Sequence, residues 1–315
     1  MKMNNWLLIG IGIALAWTGA AARAESDFSQ FIANRTLQVE AQQLEIDGKY
    51  VKAAKRYLKL AKRSKDQKNR AGWTLRAADC FFTANKSHQA LEIYKDLMAN
   101  YPFFVPYEHV VGKLRVIAER FVDGNGTFLG LRDKQTSIAV YELIIREAPA
   151  IHVSLQDRLR IAELLKETDR PEEAVNAYQA ILKLDPSLDD VRLELALLLA
   201  ELSKTGDGDG TKLRAAVRHA QAVKERQPTH PRRKDIDLLL RDAREQDAQR
   251  LLGLGQFYLQ PSHLRTSAAR RYLLDVLRDY PDTQAGWEAK KILNDNPSLR
   301  DAPTGGSENK PAAKP

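Results

Sequence analysis

Residues 174–186 read Ala-Val-Asn-Ala-Tyr-Gln-Ala-Ile-Leu-Lys-Leu-Asp-Pro, and this stretch sets the pattern that predicts the fold. Its small residue Ala174 stands twelve positions before Pro186, and Tyr178 and Ile181 stand eight and five positions before it. Residues spaced by three and four lie on the same side of a helix, so these side chains form one apolar stripe. Proline fixes φ and lacks an N–H, and it therefore ends the helix.

Four further prolines, Pro102, Pro149, Pro228 and Pro281, carry the same pattern. The small position holds Ala90, Ser137, Ala216 and Ala269, the second holds Tyr94, Tyr141, Ala220 and Leu273, and the third holds Leu97, Ile144, Val223 and Val276. A small residue lets two helices approach closely, and a large one would overpack the contact at a cost of roughly 1–3 kcal/mol. The recurrence predicts a repeated helical element.

A second apolar helix precedes each small residue, as in residues 71–84, 156–167 and 191–202. A sixth unit lacks its proline but keeps the pattern on both sides of a turn at Asp47-Gly48-Lys49. The predicted hairpins cover residues 34–66, 71–102, 105–149, 155–186, 189–228 and 234–282, followed by a capping helix at 283–294. Hairpins that cannot bury an apolar face alone stack on one another. The predicted fold class is therefore all-α, an α-solenoid superhelix of about six hairpins without strands.

The amino terminus has the pattern of an export signal. A positive start at Met1-Lys2-Met3 precedes an apolar run from Trp6 to Trp17, and Ala22-Arg23-Ala24 fits the cleavage rule for small residues. We predict a signal peptide over 1–24 and a linker over 25–33; an uncleaved anchor or a buried helix is the alternative. The run is shorter than the roughly 20 residues of a membrane span, and no later stretch qualifies, so no integral span is expected in the mature chain. The tail at 297–315 is predicted to be disordered.

Composition and motifs argue against catalysis and against nucleic-acid binding. The net charge of +8 comes from interleaved basic and acidic residues, which is typical of a solvated helix surface. The six histidines are dispersed, and phosphate loops, nucleophile elbows and dinucleotide motifs are absent from the sequence. Cys80, the single cysteine, is expected to be a small buried residue. We therefore expect no enzyme, no cofactor, no metal and no nucleic-acid partner.

Two insertions interrupt the repeat. Residues 123–132 lie between the helices of the third hairpin and contain three large apolar residues, Phe128, Leu129 and Leu131. They form either a loop that folds back on its own repeat or a loop that contacts a partner. Residues 204–211, rich in Gly and Asp, are predicted to be a flexible connector because the acidic residue that would complete a calcium loop is missing.

The hairpins resemble tetratricopeptide repeats. The block Phe257-Tyr258-Leu259, Ser267–Tyr272 and Asp279–Thr283, together with Ile117–Phe121, is similar to the family of the outer-membrane β-barrel assembly factor BamD. This resemblance implies a periplasmic scaffold that contacts the barrel assembly machinery and unfolded barrel substrates. The chain departs from that family in having Glu25 where a lipidated Cys is expected. A periplasmic adaptor or regulator of cell-wall enzymes or of a secretion system is the alternative.

In tetratricopeptide proteins the first helix of each hairpin lines a groove. The resemblance therefore implies a protein-binding groove that presents Gln38, Gln42, Glu45, Leu75, Asp79, Phe82, Arg115, Glu119, Leu159, Glu163 and Lys166. These side chains are partly polar and partly apolar, which suits an extended segment of alternating character. Ordinary solvated positions are the alternative.

Overall fold

The structure is a computed structural model that describes residues 28–125, 130–206, 210–296 and 299. These residues form thirteen α-helices and short 3-10 turns without a strand, so the predicted all-α, repeat-type fold class is confirmed. The helices are α1 (28–46), α2 (Tyr50–Arg63), α3 (Gln67–Thr83), α4 (Ser87–Asn100), α5 (Tyr107–Asp123), α6 (Lys134–Glu147), α7 (Leu155–Glu167), α8 (Pro171–Leu184), α9 (Asp189–Gly206), α10 (Thr211–Arg226), α11 (Arg233–Phe257), α12 (Thr266–Asp279) and α13 (Gln284–Asp295).

Each of the five prolines stands two residues after the last residue of a helix. Pro102 follows α4, Pro149 follows α6, and Pro186, Pro228 and Pro281 follow α8, α10 and α12. The residue between helix and proline still donates its N–H to the preceding turn, as Tyr101 does to the Leu97 carbonyl at 3.0 Å. Proline has no N–H with which to continue the series, so the helix stops there.

The fifteen side chains at the three repeat positions before these prolines are all buried. The small residues are fully covered, including Ala90 and Ala174 at 0% exposure. Close packing at that position requires a small side chain, and the two positions that follow on the same face fill the interior. The repeat pattern predicted from the sequence thus forms part of the core of the protein.

Polar residues begin several of the helices. The Asp66 carboxylate accepts the Asn69 N–H at 2.8 Å, and Asp133 accepts the N–H of Thr136 at 2.9 Å. Ser154 and Asp157 form a reciprocal capping box at the start of α7. These bonds satisfy N–H groups that have no partner within the helix itself.

The described residues belong to two compact units, residues 1–170 and 171–315, called unit 1 and unit 2 here. Within unit 1, α2 packs on α3, α3 on α4, and α5 on α6; within unit 2, consecutive helices from α8 to α13 pack on one another. Such neighbour-to-neighbour packing is the hallmark of helical repeats. No helix among the described residues has both the length and the apolar character needed to cross a bilayer.

Three element boundaries differ from those expected. The segment predicted as a linker over 25–33 is helical from residue 28. Residues 28–33 contain neither Gly nor Pro and form the first turns of α1. The helix expected from residue 71 begins at Gln67, where Asp66 caps it. The connector expected over 204–211 is helical up to Gly206. The predicted signal peptide (1–24) lies outside the described residues, as does the predicted tail apart from Leu299.

Candidate functional site

The eleven residues predicted to line a groove all lie on α1, α3, α5 and α7, the first helices of the hairpins, and all belong to unit 1. Glu163 and Lys166 are exposed, and the other nine are half-buried. The nine half-buried residues lie on the first helices of successive hairpins, where neighbouring side chains cover part of each one. The hydrogen bonds show which of these residues are already engaged within the protein.

Glu45 on α1 forms the first acid–tyrosine cluster. Its carboxylate accepts the hydroxyl of the fully buried Tyr57 at 2.6 Å, and Arg76 of α3 lies 3.5 Å away. Arg76 also donates to the Tyr57 hydroxyl oxygen at 3.3 Å. Burial, and next the hydrogen bond to Glu45, raises the pKa of Tyr57 to about 12. The phenol therefore stays neutral and donates to the carboxylate.

Asp79 on α3 repeats this arrangement. Its Oδ1 accepts the Tyr94 hydroxyl at 2.6 Å and lies 2.8 Å from Nε2 of His109, on α5. Tyr94 is fully buried, and burial followed by the Asp79 charge raises its pKa well above the usual value. Asp79 thus connects α3, α4 and α5.

Glu119 on α5 forms the third cluster. It accepts the Tyr141 hydroxyl at 2.7 Å, and Arg160 of α7 donates to both of its oxygens at 3.0 and 2.9 Å. Burial raises the pKa of Glu119, but hydrogen bonds from Arg160 and Tyr141 outweigh it and hold the pKa below its usual value. Arg160 also donates to Glu163 at 3.1 Å.

Arg115 makes a separate connection between α5 and the start of α7. It donates to both oxygens of Asp157 at 2.7 and 2.8 Å, and to the His152 carbonyl at 2.8 Å. The Asp157 side chain is only 2% exposed. Burial alone would raise its pKa, but hydrogen bonds from Arg115 and Ser154 hold the pKa below its usual value. The Arg115 guanidinium is therefore occupied by its own protein.

A similar acid–tyrosine pair occurs in unit 2. The Asp247 carboxylate on α11 accepts the Tyr280 hydroxyl at 2.5 Å and a bond from Arg250 at 2.7 Å. Burial, and next this hydrogen bond, raises the pKa of Tyr280 to about 12. The sequence predicts the aromatic repeat position only as core, and the hydrogen bonds of its hydroxyl groups do not follow from that pattern. The recurrence of Tyr rather than Phe at Tyr57, Tyr94 and Tyr141 is a signal that could have revealed the pairs of unit 1, whereas Tyr280 lies outside the three repeat positions.

Phe82 is the predicted groove residue with the most distinctive surroundings. Lys113 Nζ lies 4.3 Å from its ring centroid, and the Arg120 guanidinium carbon lies 4.1 Å from it. Arg120 also donates to the Phe82 carbonyl at 3.0 Å. Among the residues that the structure describes, neither cation has an ion-pair partner. Phe82 therefore combines a half-buried ring with two positive charges.

The contact loop can be placed only in part. Phe128 and Leu129 lie outside the described residues, and Leu131 is 64% exposed. The base of the loop is closed by Gly124, which has φ +81° and lies against the Gly130 carbonyl, and by the Asp133 N–H bond to the Phe121 carbonyl at 2.8 Å. The structure thus places Leu131 in solvent, while the role of the loop stays a prediction.

Cys80 lies next to Asp79 on α3 and is buried. Cys80 is 2% exposed, as the sequence predicted, and burial followed by the charges of Glu45 and Asp79 raises its pKa to about 12. A neutral buried thiol is a poor nucleophile. Over the described ranges, no group of His, Cys, Asp and Glu has a metal-binding arrangement.

The tetratricopeptide repeat family model matches residues 75–103 and 158–187. These two segments therefore match tetratricopeptide repeats, helical repeats whose stacked arrays present extended binding surfaces. No curated protein matches the chain.

Several solved structures match much of this chain at low sequence identity. YrrB, a tetratricopeptide protein with an unusual peptide-binding site, is 16% identical over 76% of this chain and 99% of its own, with a TM-score of 0.31. A tetratricopeptide protein of Thermus thermophilus is 17% identical over 67% and 98%, with a TM-score of 0.30. PilF of Pseudomonas aeruginosa is 14% identical over 84% and 99%, with a TM-score of 0.28.

Proposed function

We propose that the chain is a non-catalytic periplasmic scaffold of outer-membrane β-barrel assembly, and that unit 1 binds extended segments of unfolded barrel proteins around Phe82. The tetratricopeptide repeats support the scaffold role. The amino-terminal sequence pattern supports export, and the C-terminal sequence block supports the barrel-assembly setting.

The observation that carries the binding site is the pair of cations at Phe82. Lys113 and Arg120 approach its ring to 4.3 and 4.1 Å and have no ion-pair partner in the described ranges. By contrast, the nearby acids Glu45, Asp79 and Glu119 are bonded to tyrosines of the protein itself, and Glu45 and Glu119 also pair with arginines. The charge left available for a ligand on this face is therefore positive.

A barrel segment fits this chemistry. Strands of outer-membrane barrels alternate apolar and polar side chains, so an extended segment can place an apolar group on Phe82 and Leu75 while a neighbouring carboxylate reaches Lys113. A carboxylate bound to an ammonium group forms a charge-assisted hydrogen bond, which is about twice as strong as a neutral one. The C-terminal carboxylate of a barrel protein is one such group.

The test is site-specific photocrosslinking in cells with a photoreactive phenylalanine at position 82. We expect crosslinks to unfolded barrel proteins and, with purified protein, to a C-terminal barrel peptide. Lys113→Glu should lower the crosslinking yield roughly five-fold, because it places a carboxylate beside the ligand's carboxylate. Lys95→Glu, on the exposed side of α4, is the matched control and should leave the yield unchanged.

Absence of crosslinked barrel protein, or equal yields with Lys113→Glu and Lys95→Glu, would overturn the binding site. Purification of the envelope complex tests the setting independently. Co-purification of the barrel assembly protein supports the proposal. Recovery of cell-wall enzymes or secretion components instead would assign the chain to the alternative adaptor role.

A further inference from the structure

Helix α1 carries an exposed apolar stripe on the side opposite to its buried one. The stripe consists of Phe28, Phe31, Ile32, Val39 and Ile46, with side chains between 48% and 78% exposed. Phe28, Ile32, Val39 and Ile46 recur at intervals of four, seven and seven residues, which keeps them on one side of a helix. The buried residues Leu37 and Ala41 lie on the other side.

This stripe departs from the rule for helical repeats. The outer face of a terminal repeat is ordinarily polar, because no further repeat covers it. Contiguous exposed apolar surface marks an interaction site. The exposed side of α1 carries two phenylalanines, two isoleucines and a valine. It therefore needs a partner that accepts apolar side chains.

The charge of the next helix identifies that partner. Helix α2 contains no acidic residue and carries Lys52, Lys55, Arg56, Lys59, Lys62 and Arg63. Arg56 pairs with Glu40 of α1 at 2.8 Å, and the other five have no ion-pair partner among the residues that the structure describes. The cations alternate with the buried residues Ala53, Tyr57 and Leu60, so they lie on the outward side of α2.

We infer that the α1–α2 hairpin binds the surface of an anionic phospholipid bilayer. The stripe of α1 would enter the boundary between headgroups and acyl chains, and the cations of α2 would lie over the lipid phosphates. Basic residues combined with exposed Phe and Ile are the sequence character of interfacial membrane helices. Each Lys or Arg near an anionic surface strengthens association roughly five-fold.

Other partners fit less well. A nucleic acid would engage the cations of α2 but would leave the apolar stripe in water. A second copy docked through α1 would bring two strongly basic α2 helices close together, where like charges repel. A bilayer with anionic lipid accepts both features at once. The inference is independent of the ligand proposed for Phe82.

Co-sedimentation with vesicles tests the inference. The full chain and a chain that starts at residue 25 are compared, because the apolar run at 6–17 can itself insert into lipid. Vesicles of phosphatidylglycerol with phosphatidylethanolamine are compared with vesicles of phosphatidylcholine alone. We expect both chains to bind the anionic vesicles, and we expect added salt to weaken that binding.

Two double variants separate the contributions. Lys55→Glu with Lys59→Glu should lower the partition constant on anionic vesicles at least about ten-fold, and Phe28→Ser with Ile32→Ser should do so by a similar factor. Matched controls are Lys290→Glu with Lys291→Glu on α13, and Phe103→Ser; both should bind as the wild type does. All altered side chains are exposed, so circular dichroism and urea midpoints should stay unchanged.

Equal binding by the α2 variant and its α13 control would overturn the inference. So would sedimentation of the chain from residue 25 with phosphatidylcholine as efficiently as with phosphatidylglycerol. A chain that ignores vesicles but dimerises in light scattering, and becomes monomeric with Phe28→Ser and Ile32→Ser, would show that α1 binds a second copy instead.

Discussion

Arg160 donates from Nε and Nη2 to the two carboxylate oxygens of Glu119, at 3.0 and 2.9 Å. The two residues lie on the first helices of neighbouring hairpins, and Tyr141 of the intervening helix bonds to the same carboxylate at 2.7 Å. Glu119 therefore connects α5, α6 and α7. Because a bidentate ion pair fixes the orientation of the two side chains as well as the distance between them, this contact helps to set the angle between successive hairpins.

Replacing Glu119 by Gln should lower the free energy of unfolding by about 1 kcal/mol. The amide keeps its shape but loses the charge that binds Arg160, and the partial exposure of the pair moderates the loss. Urea unfolding followed by circular dichroism measures it. The control Glu163→Gln changes an exposed partner of the same Arg160, and we expect less than about 0.5 kcal/mol. Equal effects would show that Glu119 has no special structural role.

Tyr94→Phe should destabilise the protein by about 1 kcal/mol, because it removes the buried hydroxyl that donates to Asp79. The ring and its packing remain, so the change isolates the hydrogen bond. The control is Tyr50→Phe, at the half-buried start of α2, which should be neutral within about 0.5 kcal/mol. Identical urea midpoints for the two variants would contradict the assigned hydrogen bond.

Two glycines, one inside α5 and one at its end, should respond in opposite ways to alanine. Gly124 has φ +81° and faces the Gly130 carbonyl, so a Cβ there is strained and obstructed. We expect Gly124→Ala to lower the free energy of unfolding by at least about 1 kcal/mol. Gly112 lies inside α5 with open space around it, so alanine should stabilise by roughly 0.5–1 kcal/mol. Thermal unfolding distinguishes them; a stable Gly124→Ala variant would refute the predicted closure of the loop.

The sequence predicts the repeat well because the repeat depends on local spacing. A small residue twelve positions before a proline has the same meaning in α4 and in α12, since helix geometry is the same in both. Ala90 and Ala269 are accordingly both fully buried. The three positions and the proline together define one face and one end of a helix, and neither requires knowledge of neighbouring hairpins.

The hydrogen bonds that the groove residues make within the protein could not be predicted from local spacing. Glu45 and Tyr57 are separated by 12 residues, and Glu119 and Tyr141 by 22, because both the length of the turn and the place of the acid on its helix differ. No fixed spacing therefore marks the pair. The cations that complete the clusters come from the following hairpin, so their positions depend on how hairpins pack. Lys113 likewise reaches Phe82 from the following hairpin, so this contact also depends on how the hairpins pack.

The ion pair of Arg115 and Asp157 predicts a specific pH dependence. Because the folded-state pKa of Asp157 is lowered, its contribution is complete above its unfolded pKa of about 4 and is lost as the pH falls through the folded value. Asp157→Asn should lower the free energy of unfolding by about 2 kcal/mol at neutral pH, since it leaves the Arg115 guanidinium and the capping box with an uncharged partner.

The same variant should also lose less stability than the wild type as the pH falls below about 4, because the titrating carboxylate is gone. Urea midpoints across that range measure both effects. Asp96→Asn, on the exposed side of α4, keeps Asp157 in place and should retain the wild-type curve. A wild-type curve for Asp157→Asn would mean that the carboxylate is not charged in the folded protein, and that Arg115 is held by the His152 carbonyl alone.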